Sequence, residues 1–137
     1  MNRIIYIFLA VLLVSSCQKA DDNGDLGGFW KLLKIEDLAA NSVIDTKEYK
    51  RFWSIQLDML ATTSEDDNSY NYNYGGKGRF QHVGNTLSVQ IITKSPSSDL
   101  RKVGLYTPDD ERFEVLLLNK DKMVLRSEHV LLEFRKF

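Results

Sequence analysis

The sequence predicts an all-β protein built as an antiparallel up-and-down barrel of about seven or eight strands. Three observations support this fold class. Apolar residues recur with a period of two in short runs, turn residues separate these runs, and no long amphipathic helix pattern occurs. Because consecutive hairpins leave two unpaired edges unless the sheet closes, a barrel is favoured over a sandwich.

The N-terminus has the features of a secretory signal covering residues 1–16. Met1-Asn2-Arg3 provides a positive start, an apolar run of eleven residues extends from Ile4 to Val14, and small residues follow. This run is shorter than the roughly 20 residues that a membrane-spanning helix needs. We therefore expect the segment to be removed during export.

Cys17 ends the signal and is the only cysteine of the chain. An intrachain disulfide is excluded, which leaves a lipid anchor or an exported free thiol. The sequence Val14-Ser15-Ser16-Cys17 resembles the lipobox of bacterial lipoproteins, in which the cysteine sulfur receives diacylglycerol. The resemblance implies two or three fatty chains, such as palmitate, which hold a protein on a membrane far more firmly than one chain does.

Residues 17–26 are predicted to comprise the lipidated cysteine and a flexible tether, because Gln18 to Asp25 is polar and contains Gly24. Gln18 is not the Asp that retains some lipoproteins at the inner membrane, so the resemblance implies the outer membrane. Residues 18–22 resemble the export tag of certain surface-exposed lipoproteins, and an ordinary solvated linker is the alternative. Residues 21–25 lack the spacing of a calcium loop.

The mature chain is large enough for one domain, which we expect at residues 27–137. Removal of the signal leaves 121 residues, and the loss of Arg3 changes the net charge from −1 to −2. A nucleic-acid partner is not expected, because such a protein needs a basic face. No cofactor motif is present.

The alternating residues place one set of apolar side chains on the inner face of the barrel. If the barrel contains a cavity, these residues line it, and otherwise they fill the interior. They are Trp53, Ile55, Leu57, Met59, Phe80, Leu87, Val89, Val115 and Leu117.

Turn residues lie between the predicted strands. Gly84-Asn85 is suited to a tight hairpin, and Asn119–Lys122 and Ser127–His129 are further turns. Thr107–Asp110 is expected to form a loop. Asn41–Lys50 is expected to contain a short helix or a long connection.

Gly28-Phe29-Trp30, directly after the tether, is similar to the G-x-W signature of lipocalins and their calycin relatives. The resemblance implies that Gly28 turns the chain into the first strand and that Trp30 closes one end of the barrel. It also implies a basic residue packed across the indole, for which Arg135 is the first choice and Arg126 the second.

The C-terminal residues 123–126 and 132–137 look like the closing hairpin of bacterial lipocalin-like lipoproteins, so the resemblance covers residues 17–137. Three departures are a short chain, the lack of disulfides and the lack of a long helix before the last strand. A spacious ligand cup is therefore not expected.

Catalysis is not expected from the side chains available. His82 and His129 do not have the spacing of a zinc site, and no G-x-S-x-G sequence occurs. The carboxylates at Asp66-Asp67 and Asp109–Glu111 lie in polar surroundings and should be solvated. A general acid would need an apolar setting.

Tyr70, Tyr72 and Tyr74 alternate with asparagines, which would place the three rings on one face of a strand. They could form a surface patch that recognises a glycan or a protein, because tyrosine offers both stacking and a hydroxyl group. The alternative is that they pack across the sheet or along the barrel wall. Gly75–Gly78 beside them is expected to be a hairpin tip or a bulge.

Two functions remain open for a non-catalytic, membrane-anchored protein. In the first, the barrel binds a small apolar or amphipathic ligand inside. In the second, loops and the Tyr70–Tyr74 strand engage a protein or glycan partner. An apolar pocket of roughly 300 Å³ or more would favour the first function, and a filled interior would favour the second.

Overall fold

The computed structural model describes residues 23–65, 73–96 and 98–137, and within them nine strands form one antiparallel sheet. Two short 3₁₀ turns, Gly24–Leu26 and Leu100–Val103, accompany the strands. The strands are β1 (Gly28–Asp37), β2 (Ser42–Asp45), β3 (Lys50–Gln56), β4 (Met59–Glu65), β5 (Asn73–Val83), β6 (Thr86–Lys94), β7 (Glu111–Leu118), β8 (Lys122–Arg126) and β9 (Val130–Lys136).

The sheet closes into a barrel of eight strands, because β9 pairs with β1 along nearly its whole length. From β3 to β9 each strand pairs with the next, and β3 pairs back with β1. The all-β, up-and-down prediction is confirmed. Closure leaves no free edge in the eight-stranded ring.

The ninth strand, β2, corrects the expectation of a helix or a connection in residues 41–50. Ser42–Asp45 pairs with the second half of β1, next to the place where β3 pairs with its first half. Val43 and Ile44 are β-branched, which favours this extended conformation. Both side chains are exposed, so β2 extends the wall without adding to the core.

The antiparallel order gives the barrel two distinct ends. We call the end at which β1 begins the lower end; the β3–β4, β5–β6 and β7–β8 turns lie there. The β1–β2 and β8–β9 turns lie at the upper end. The predicted Gly84-Asn85 hairpin is confirmed, since Val83 pairs directly with Thr86.

The lower end is organised around Trp30, as expected for the G-x-W signature. Trp30 is fully buried, and its indole Nε1 donates a hydrogen bond of 2.8 Å to the carbonyl oxygen of Leu26. Leu26, within the segment expected to be the tether, is itself buried. Gly28 has φ +133°, a value that side-chain-bearing residues rarely adopt, and it turns the chain from the Gly24–Leu26 turn into β1.

The cation over the indole is Lys136, so the assignment of Arg135 is wrong. The Lys136 ammonium lies 4.8 Å from the centre of the Trp30 ring. Arg135 is exposed, because neighbouring residues of a strand point to opposite faces. Arg126, the second choice, forms an ion pair of 2.7 Å with Glu114 on the outer surface.

Candidate functional site

Apolar side chains pack into one core inside the part of the barrel that the structure describes. Nineteen buried apolar residues form this core, and they come from seven of the eight barrel strands, from the two short turns and from Leu105. The eighth strand, β5, contributes the partly buried Phe80. At the upper end, Val103 and Leu105 are buried, and Trp53 Nε1 donates a hydrogen bond of 2.9 Å to the carbonyl oxygen of Val103. The Leu100–Val103 turn therefore lies across the upper end, opposite Trp30 at the lower end.

Six of the nine predicted cavity-lining residues belong to this packed interior. Trp53, Ile55, Leu87 and Val89 are buried, and Phe80 and Val115 are partly buried against them.

The other three predicted lining residues face solvent, so their assignment is wrong. Leu57 and Met59 are 58% and 54% exposed, because the β3–β4 hairpin reverses the chain at Leu57. Leu60 takes the inward position on β4. Leu117 is 42% exposed because an irregularity between Val115 and Leu117 shifts the β7–β8 register.

The predicted recognition strand lies largely outside the described residues. Tyr70 and Tyr72 are not among them, and neither is Cys17. The backbone of Tyr74 pairs with Thr63 near the start of β5. The roles proposed for these residues stay predictions.

A polar groove of about 690 Å³ lies on the outer wall between β5, β6 and the loop before β7. It forms because β6 and β7 stop pairing at Val89 and Glu111. Above this point the loop turns back, and the Pro108 carbonyl oxygen accepts a hydrogen bond of 2.8 Å from the Ile91 amide. The groove is lined by Asp58, Arg79, Phe80, Gln81, Ser88, Val89, Gln90, Asp109 and Asp110.

Glu111 is buried, which corrects the expectation that all carboxylates of residues 109–111 are solvated. Its oxygens accept hydrogen bonds from the Thr107 amide at 2.6 Å, the Tyr106 amide at 3.4 Å and the Thr107 hydroxyl. Glu111 alternates with Phe113 and Val115, and this period of two was the signal that it points inward. Both carboxylate oxygens of Glu111 accept hydrogen bonds from backbone amides of the loop before β7. Glu111 therefore fixes the position of this loop.

A second polar cluster joins the upper ends of three elements. The Tyr106 hydroxyl donates a hydrogen bond of 3.2 Å to Asp37, and the His129 imidazole stacks on the Tyr106 ring at 5.4 Å. The Ala40 amide holds the pKa of the Asp37 carboxyl below its usual value of 3.8, and the Tyr106 hydroxyl adds to this. Burial raises the Tyr106 pKa above 10.0.

Within the described ranges, no group of three or more His, Cys, Asp or Glu residues could hold a metal ion. His82 is exposed on β5, and His129 is held in the Tyr106 stack. The same ranges contain no helix that could cross a membrane.

The closed antiparallel barrel of eight strands, with one extra strand, has the architecture of a lipocalin-like protein. The sequence model of the lipocalin-like domain family matches residues 11–137, so the chain belongs to this family. The family fold fits ligand binding in general and is typically not enzymatic. No curated protein sequence matches the chain significantly.

Two crystal structures are similar to this one. A lipocalin-like protein from Bacteroides uniformis has a TM-score of 0.64 and 20% sequence identity, over 83% of this chain and 100% of that chain. An uncharacterized protein from Bacteroides eggerthii has a TM-score of 0.61 and 19% identity, over 81% of this chain and 98% of that chain. At these identities the likeness establishes the fold alone.

Proposed function

We propose that this protein is an exported, lipid-anchored binding protein without catalytic activity, and that it binds a glycan in the groove on its outer wall. The observation that carries this proposal is the packed apolar core of the barrel. A small apolar ligand would need space inside the barrel, where the nineteen core side chains pack between Trp30 and the Leu100–Val103 turn. Of the two functions that the sequence left open, binding of a partner on the outer surface is therefore favoured over binding of an apolar ligand inside the barrel.

The chemistry of the groove favours a neutral polyhydroxylated ligand. Arg79, Gln81 and Gln90 supply hydrogen-bond donors, and Asp58, Asp109 and Asp110 supply acceptors around the same space. Sugar hydroxyl groups both donate and accept, so they can satisfy this mixed lining. Tyr74 lies on the same strand as Arg79, which connects the groove with the predicted tyrosine strand.

The anchoring part of the proposal is that Cys17 carries fatty chains and holds the domain at the outer membrane, with the cell surface as the expected side. Replacing Cys17 with serine should move the protein from the membrane fraction to the soluble fraction. Labelling with a fatty-acid analogue should mark the wild-type chain and leave Cys17→Ser unmarked. An unlabelled wild-type protein would end the anchoring proposal.

The ligand is tested by probing a glycan array with the fluorescent mature chain carrying Cys17→Ser. We expect Arg79→Ala and Gln90→Ala to weaken binding of any positive glycan about tenfold, because each change removes a hydrogen-bonding group from the groove. Lys77→Ala is the matched control, since Lys77 is an exposed cation on the same strand outside the groove lining.

Two results would contradict the groove. One is glycan binding that Arg79→Ala and Gln90→Ala leave unchanged. The other is a stoichiometric lipid recovered by solvent extraction of protein purified from its native membrane, which would support a ligand inside the barrel.

A further inference from the structure

The exposed apolar side chains concentrate at the lower end of the barrel. Among the described residues, seven of the eleven large exposed ones lie there, on β1, at the β3–β4 turn, at the lower ends of β5 and β7, and directly after β9. The most exposed are Leu57, Val83 and Phe137, at 58%, 75% and 73%. The seven residues, which we call the lower rim, are Phe29, Leu57, Met59, Val83, Leu116, Leu117 and Phe137. Apolar side chains spaced around a whole rim are typical of an interaction surface.

The β3–β4 hairpin presents Leu57 at the cost of backbone strain. Leu57 has φ +53°, in the left-handed region where glycine or asparagine would be less strained. Its side chain nevertheless points to solvent and makes no contribution to the core. Folding alone therefore gives no reason for an aliphatic residue at this position.

Two residues of the lower rim, Phe29 and Phe137, pack together with Phe52 on the outer wall. The Phe29 ring stacks on Phe52 at 4.7 Å, and Phe137 meets both rings edge-on at 5.7 and 5.6 Å. Phe29 is 39% exposed and Phe137 is 73% exposed, so the cluster continues the apolar surface of the rim.

A row of three cations borders this aromatic cluster. Lys31 is the cross-strand neighbour of Phe52 on one side and of Arg135 on the other, and Arg135 is the neighbour of Lys122. None of the three cations forms an ion pair with a described residue. A surface that combines exposed aromatic and aliphatic groups with unpaired cations fits the interface of an anionic bilayer.

The path of the chain places a membrane next to this end of the barrel. The Asn23 side chain donates a hydrogen bond of 2.7 Å to the Leu57 carbonyl oxygen, so the described chain starts beside the rim. Six residue steps separate Asn23 from Cys17, a reach of at most about 20 Å. A lipid on Cys17 would therefore keep the lower end, and not the upper end, close to the bilayer.

We infer that the lower rim docks on the surface of an anionic membrane, with the barrel standing on this end and the upper end directed away. The position of the membrane rests on the proposed anchoring through Cys17. The rim side chains enter the interface, while Lys31, Lys122 and Arg135 contact acidic headgroups.

The orientation is tested with the lipidated protein in vesicles of phosphatidylcholine and phosphatidylglycerol. Val83→Cys and Val43→Cys form a matched pair, because both valines are exposed and lie at opposite ends of the barrel. A fluorophore on each new thiol is read against a lipid quencher in the bilayer. We expect several-fold greater quenching at position 83, and equal quenching at both positions would overturn the inference.

A second measurement separates the rim from the anchor. The mature chain carrying Cys17→Ser should bind anionic vesicles weakly, and adding Leu57→Ser and Val83→Ser should lower its partition coefficient about tenfold, because two aliphatic groups are lost from the interface. Adding Val43→Ser and Ile44→Ser instead should leave it unchanged. If Cys17 proves not to be acylated but the vesicle binding still depends on the rim residues, only the anchoring proposal is refuted.

Vesicle binding that is insensitive to the rim changes would refute the docking surface. So would a Cys17→Ser chain that does not bind vesicles and forms a dimer dissociated by Leu57→Ser and Val83→Ser. That outcome would assign the rim to a second copy of the chain.

Discussion

The Lys136 ammonium lies 4.8 Å from the centre of the Trp30 indole ring and donates a hydrogen bond of 2.9 Å to the carbonyl oxygen of Asp25. The two contacts join the end of β9 to the start of β1 and to the turn that precedes it. Because β1 and β9 are the strands that close the barrel, the contact between Lys136 and Trp30 stabilises this closure at the lower end.

Trp30→Ala should lower the free energy of unfolding by about 3–5 kcal/mol, because it removes a fully buried aromatic side chain and leaves a cavity. Urea denaturation of the mature chain carrying Cys17→Ser measures this change. A loss below about 1 kcal/mol would mean that the indole does not support the closed end.

Lys136→Met should cost about 1 kcal/mol, because the methionine keeps much of the packing but lacks the cation over the indole and the hydrogen bond to Asp25. Arg135→Met is the matched control, as Arg135 is a neighbouring exposed cation on the same strand. We expect the control to change stability by less than about 0.5 kcal/mol. Equal losses for both variants would argue against the contact with Trp30.

Glu111→Ala should destabilise the protein by about 2–3 kcal/mol, because the part-buried hydrogen bonds from the Tyr106 and Thr107 amides lose their acceptor. Glu114→Ala, on the same strand, removes the exposed ion pair with Arg126 and should cost less than about 1 kcal/mol. Denaturation of both variants gives the comparison. If Glu114→Ala lowers the free energy of unfolding as much as Glu111→Ala does, the burial of Glu111 does not explain its contribution to stability.

The period of two in the sequence was sufficient to predict the buried face of β3 at Trp53 and Ile55, but not the strand β2 or the turn at Leu57 that ends β3. The same rule also identifies Lys136, because it shares the inward face of Phe134 whereas Arg135 does not. The resemblance to lipocalins implied a basic residue packed across the indole, but not which position of the strand it occupies. The alternation along β9 contains that information.

The remaining differences arise from contacts between strands that are distant in the sequence. Leu117 turns outward because of a register shift against β8, and the groove exists because β6 and β7 separate beyond Val89. Neither event leaves a local sequence pattern, since both depend on which residues meet across the sheet. The outer groove could therefore not be predicted from the chain alone.

Gly78→Ala should prevent the normal pairing of β5 with β6. A Cβ atom at this position would lie 1.8 Å from the carbonyl oxygen of Gln90, so the backbones must separate. Gly78 follows a register irregularity at Lys77, which confirms the expected bulge in residues 75–78 but not a hairpin tip. We expect loss of cooperative unfolding or a decrease in stability of several kcal/mol. Lys77→Ala should retain a near-normal denaturation midpoint, and a similar midpoint for Gly78→Ala would contradict the close approach.

The cluster of Asp37 and Tyr106 should make stability depend on pH at both extremes. The Ala40 amide and the Tyr106 hydroxyl lower the pKa of Asp37 in the folded protein. Its contribution is therefore complete above the usual value of 3.8 and is lost as the pH falls below it. Burial and the hydrogen bond to Asp37 raise the pKa of Tyr106, so its contribution is complete below 10.0 and is lost as the pH rises further.

Two variants separate these effects. Asp37→Asn should reduce stability at neutral pH, and its difference from wild type should shrink on acidification below 3.8. Tyr106→Phe should leave most of the acid dependence in place and remove the loss above 10.0. Urea denaturation over the full pH range provides both curves. A constant difference between wild type and Asp37→Asn at every acidic pH would show that the Asp37 charge does not stabilise the upper end.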